Sequence, residues 1–94
     1  MYKDLDPLLH AQLRLAIVSI LVSIEEADFV FIKDKTGTTA GNLSSHIEKL
    51  SQAGYIGVRK FIDGKRPRTV CKITQKGLDA FDNYVKALQD YIHH

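Results

Sequence analysis

The chain offers almost no sulfur chemistry. Of 94 residues one is cysteine, Cys71, one is methionine, and tryptophan is absent. A single cysteine excludes an internal disulfide framework and a paired-thiolate metal site. It reads as a small core hydrophobe, with a redox switch as the alternative. Long apolar runs are missing too. "AIVSILVSI", between Arg14 and Glu25, is about half of the ~20 residues a membrane span needs. The start "MYKDLDPLLH" lacks the basic-then-apolar pattern of a signal peptide, so the expectation is a cytoplasmic protein with no membrane partner. Catalytic groupings are equally scarce. No Cys-His or Ser-His-Asp set and no glycine-rich phosphate loop is evident, and the histidines (His10, His46, His93, His94) fall on different segments. That argues against an enzyme, a metal site or a cofactor.

What is present is one domain's worth of ordinary globular sequence, spanning residues 1–94. Its charge is unevenly placed. The net charge is +2, but the stretch 33–76 holds ten cations against three acids, and the two ends hold three cations against eight acids. A basic middle between acidic flanks points to an anionic partner on one surface. The alternative is a merely solvated basic hairpin.

Periodicity then orders the elements. Asp6-Pro7 predicts the start of a helix running to about Ile24. Leu9, Leu13, Ala16, Ile17, Ile20 and Ile24 form one stripe on it, and Leu8, Ala11, Leu15, Val18 and Val22 form a second, nearly opposed. "FVFIKDKTG" predicts a short extended start passing into a brief helix ended by Gly37. "TAGNLSSHIEKLSQAG" is a stronger helix capped by Thr38 or Thr39 and stopped by Gly54. Its Leu43, Ile47 and Leu50 face the core, with Asn42, Ser45 and Lys49 outward and Gln52 beside them. "YIGVRKFI" and "RTVCKIT" alternate as two strands about an Asp63-Gly64 turn. A last helix from Thr74 carries Leu78, Phe81, Val85, Leu88 and Ile92 at coiled-coil spacing. The expected class is mainly α with a small β-hairpin, an α+β fold.

The order of these elements is that of a winged helix-turn-helix: helix-turn-helix about 29–53, wing about 55–73, C-terminal dimerisation helix about 75–92. The segment "TTAGNLSSHIEKLSQAGYIGVRKFIDGKRPRTVCKITQKG" resembles the winged-helix transcriptional regulators of the MarR/ArsR-like kind. "LSQAGYI", "DGKRPRT" and "ITQKG" carry the resemblance, which covers roughly residues 8 to 92. It implies a reading helix in the major groove of double-stranded DNA and a wing on the backbone or minor groove. The residues expected at DNA are Thr38, Thr39, Asn42, Ser44, Ser45 and Lys49 on the helix-turn-helix, and Lys60, Lys65, Arg66 and Arg68 on the wing. Asn42 and Ser45 suit base edges; Lys49, the threonines and the wing cations suit phosphates.

Alternatives stand beside these roles. Thr39 serves equally as a plain helix cap, Asn42 and Ser45 as solvated positions, and His46 as a packing residue at the edge of the apolar face. A homodimer is expected to bury Leu8, Leu15, Val18, Val22, Leu78, Phe81, Val85, Leu88 and Ile92. The alternative there is that the last helix folds back on the first within one chain. The rival function is a winged helix used for protein docking, with RNA binding a third reading. Metal sensors of the ArsR type use cysteine or histidine clusters that this chain lacks. The longer MarR-type regulators carry extra helices around an effector pocket, for which the chain is short.

Overall fold

The computed structural model describes residues 2–93, so that His94 lies outside the described residues. Four helices and three strands follow in the order α1 (Gln12–Ile24), β1 (Glu26–Asp28), α2 (Phe29–Thr36), α3 (Ala40–Gln52), β2 (Ile56–Asp63), β3 (Arg66–Ile73) and α4 (Gln75–Ile92). The strands form one antiparallel sheet in the order β1-β3-β2. Leu9, Ile17, Val18, Leu21, Ile32, Leu43, Leu50 and Cys71 are fully buried between this sheet and α1, α2 and α3. Each such aliphatic side chain contributes about 1.5–3 kcal/mol relative to exposure. Cys71 is part of that core, and burial raises its thiol pKa to about 11; it is an inert packing residue.

The first helix begins later than Asp6-Pro7 predicts. Asp6 does cap a turn, its Oδ1 accepting from Leu8 N at 2.9 Å and its carbonyl from His10 N at 2.8 Å. The Leu8 carbonyl, however, accepts from Arg14 Nε at 2.6 Å instead of a helix amide, and Ala11 is extended at φ −147°. The turn is therefore separate, it swings Leu9 into the core, and Leu8 lies off the helix.

The second stripe of α1 is corrected as well. Val18 is wholly buried within one chain, so it has no surface for a partner. Leu15 and Val22 are half-buried. α1 packs against α2, α3, α4 and β3 together, which is how one chain covers so much of its girth.

The extended piece before α2 is "EAD", ahead of "FVF". It pairs with β3 through Glu26↔Lys72, Ala27↔Cys71 and Asp28↔Val70. Between α1 and β1 the chain turns at Glu25, whose φ of 76° is unusual for a residue with a side chain.

The start of α4 is fastened to the root of the wing. Thr74 caps it, accepting from Gly77 N at 3.0 Å while its hydroxyl reaches the Gly54 and Tyr55 carbonyls. A Cβ at Gly77 would stand 2.1 Å from the Tyr55 oxygen, so only glycine lets the helix lie this close. Tyr55 in turn donates to Asp6. Burial first, and then this bond to a carboxylate, raises the Tyr55 pKa to about 12.

Candidate nucleic-acid interface

The helix-turn-helix is built from local capping. Asp28 Oδ1 accepts from Phe31 N at 2.8 Å and starts α2. Gly37 ends it in the left-handed region at φ 70°. Thr39 accepts from Asn42 N at 3.2 Å and starts α3. With no acid in its first turn, α3 keeps the positive end of its dipole uncompensated.

Leu43, Ile47 and Leu50 anchor α3, which leaves Asn42, Ser44, Ser45 and Lys49 exposed. Asn42 is not wholly free, since its Nδ2 donates to Thr38 Oγ1 at 3.2 Å; Thr38 is half-buried. His46 is a half-buried packing residue. Its Nδ1 lies 2.9 Å from Arg14 Nη1, and its pKa is lowered by burial first and then by Arg14 and Lys49.

Three features of this surface escaped sequence reasoning. The helical repeat places Gly41 and Glu48 with Ser45 and Gln52 on the most outward line of α3, and Gln52 donates to Glu48 at 3.3 Å. Gly41 has a negative φ, and a Cβ there would meet nothing. Neither packing nor backbone conformation asks for glycine, although it weakens a helix by about 1 kcal/mol. The third feature is Ile62, 68 % exposed at the wing tip, where strand alternation continues past the edge of the core.

The wing is the β2–β3 hairpin, paired from Ile56↔Ile73 out to Asp63↔Arg66. Gly64 has φ 65° at the first of the two turn positions, as a type II′ turn requires. Lys60, Lys65 and Arg66 are exposed and, among the described residues, in no ion pair. Arg68 differs. Its guanidinium joins Asp28 across the sheet and Asp63 at 3.2 Å along the hairpin. It braces the wing against the start of α2, and much of its charge is already matched. Between α3 and the wing runs an open cleft of about 740 Å³, lined by Ser44, Glu48 and Gln52 on one side and Val58, Lys60 and Thr69 on the other.

The buried line of α4 lies beside the expected seam of Leu78, Phe81, Val85, Leu88 and Ile92. Gly77, Tyr84 and Ala87 face the chain's own core. Leu78, Phe81 and Leu88 are half-buried, and Val85 and Ile92 are 37 % and 63 % exposed. Among the described residues no helix is long and apolar enough to cross a membrane.

These features have counterparts in known proteins. Residues 13–92 match the model of a family described as the winged helix DNA-binding domain. An uncharacterized protein of Methanocaldococcus jannaschii is 36 % identical over 76 residues, 81 % of this chain and 83 % of the relative. A transcriptional regulator homologue from Pyrococcus horikoshii superposes with a TM-score of 0.84 at 34 % identity, over 90 % of this chain and 84 % of its own. A mutant MarR from E. coli complexed with operator DNA shares the fold at a TM-score of 0.76 and 16 % identity; the match covers 93 % of this chain and 61 % of that one. The chain belongs to the winged helix DNA-binding domain family.

Proposed function

We propose that this protein is a homodimeric prokaryotic transcriptional regulator acting on double-stranded DNA in the cytoplasm. The observation that carries the reading is the pairing of an exposed polar face on α3 with the unmatched Lys60 across one open cleft, and with Lys65 and Arg66 exposed at the tip of the same wing. A phosphate backbone supplies the anions those cations lack, and a major groove supplies the polar edges that α3 is able to read. The relatives named as a transcriptional regulator homologue and as a complex with operator DNA support it.

In this reading Asn42, Ser45 and Gln52 meet base edges. Thr38, Thr39, Ser44 and Lys49 hold phosphates at the reading helix, and Lys60, Lys65 and Arg66 hold those at the wing. Arg68 acts mainly as the brace. The exposed half of the α4 seam, with Leu8, Leu15 and Val22, faces a second copy. Two reading helices then stand about one DNA turn apart, ~34 Å.

The experiment is duplex binding against salt, with random DNA and with the DNA upstream of the protein's own gene. A dimer that neutralises ~6 phosphates weakens by about a thousandfold between ~50 and ~200 mM salt. A steep slope with tighter binding to the upstream DNA is expected. A flat slope with weak binding to both would overturn the reading in favour of protein docking.

A further inference from the structure

The outer end of the wing carries two apolar side chains that the fold leaves uncovered. Ile62 and Pro67 are cross-strand partners; Ile62 is 68 % exposed and Pro67 is exposed as well. Strand alternation puts Ile62 on the face of β2 that carries Ile56, Val58 and Lys60. That face is buried at Ile56, half-buried at Val58, and beside the cleft at Lys60. Ile62 thus extends the cleft-side face of the wing beyond the edge of the core.

A lone exposed apolar residue needs no explanation, but the company of this pair is selective. Lys60 precedes it on the same face, Lys65 sits in the turn, and Arg66 adjoins Pro67, none of them in an ion pair among the described residues. An apolar protein surface would have to desolvate three unmatched cations to reach Ile62. A nucleic-acid groove offers the two chemistries side by side, with sugar C–H edges on its walls and phosphates along both rims.

Resting on the DNA-binding reading above, we propose that Ile62 and Pro67 form an apolar tip that enters the minor groove and packs against its sugar walls. Lys60, Lys65 and Arg66 then straddle it toward the two phosphate rims. Minor-groove binders do present isoleucine and proline to the groove, there as wedges between base steps; here the tip lies along the sugars and leaves the stack closed. The packing tightens as the walls close in, so the tip favours the narrow groove of A·T-rich DNA without a hydrogen bond to any base.

The test is Ile62→Thr, which keeps a β-branched residue at a solvent-exposed strand position and so keeps the fold. Binding to the upstream duplex is measured against salt, alongside the parent and Arg66→Ala. Replacing the ethyl branch of Ile62 by a hydroxyl removes about two carbons of apolar contact, which weakens Ile62→Thr roughly tenfold with an unchanged log–log salt slope, and reduces its preference for A·T-rich flanks. Arg66→Ala instead lowers the slope by about 0.9 for each phosphate it no longer neutralises. Ile62→Thr binding as tightly as the parent overturns the tip. So does a change in sedimenting mass with DNA affinity retained, which would make the pair a surface between copies. A parent that binds no duplex at any salt overturns the DNA-binding reading itself, a result seen before any variant is made.

Discussion

Arg14 Nη1 lies 2.9 Å from Nδ1 of His46, joining α1 to α3. A guanidinium only donates, so the imidazole nitrogen must accept, and it does so only when unprotonated. Because burial, Arg14 and Lys49 all lower the His46 pKa, the unfolded chain binds this proton more readily than the folded one. Stability therefore falls as pH drops below about 6.5, the unfolded value, and continues to fall until the folded pKa is passed. His46→Asn, whose side-chain oxygen accepts from Arg14 at any pH, should flatten that dependence. Urea unfolding of both proteins, from about pH 7.5 down to about pH 5, brackets the unfolded value and checks it.

Gly41 yields a prediction with two opposite signs. Gly41→Ala should raise stability by about 0.5 kcal/mol, since alanine is the better helix former, its Cβ meets nothing and the site lies in the first turn of α3. If α3 enters the major groove as proposed, the substitution should also weaken DNA binding about tenfold or more, because the added methyl group would stand on the outward line of that helix. Thermal unfolding and duplex titration of one preparation decide it; unchanged binding would remove Gly41 from the interface.

Asp28 holds two partners at once, capping α2 at Phe31 N and pairing with Arg68. Asp28→Ala should cost about 1–2 kcal/mol, most of it from removal of the cap. Arg68→Ala keeps the cap and should cost less, as expected of a pair that is partly solvated. It should also change the salt slope less than Arg66→Ala does. Equal slope changes for the two arginines would mean that Arg68 leaves its carboxylates to meet phosphate.

Val85 tests the dimer with little risk to the fold, being 37 % exposed on α4. Val85→Glu should convert a dimer to a monomer in sedimentation and lower operator affinity by about a hundredfold or more, since one reading helix then binds without its twin. A parent that sediments as a monomer would refute the pairing.

Much of the architecture was legible because it rests on short-range rules. The sequence offered Thr38 or Thr39 as the cap of α3, and Thr39 is the one. The last helix does begin at Thr74, Gly37 and Gly64 sit where positive φ is required, and alternation in "YIGVRKFI" put Ile56 inward. What stayed hidden depends on partners distant in sequence. "EAD" has no strand pattern of its own and becomes β1 only by pairing with residues 70–72. Asp6-Pro7 starts a turn in either case; that it stops there depends on Arg14 taking the Leu8 carbonyl. Two opposed stripes on α1 do not reveal which is covered from within, and Val18 proved to be. A run of cations such as "DGKRPRT" likewise does not reveal that Arg68 meets an acid forty residues away.

The junction at Thr74 has a mechanical consequence. β3 ends at Ile73, α4 begins at Gln75, and the single residue between them is bonded to the carbonyls of Gly54 and Tyr55. No slack segment separates the helix that would meet a second copy from the strand that carries the wing. A wing strand of eight residues reaches ~26 Å, so a swing of about 5° at its root displaces the tip by roughly 2 Å. In the proposed dimer, whatever sets the angle between the two α4 helices would thereby set the distance between the two wing tips, as the handles of a pair of callipers set the jaws.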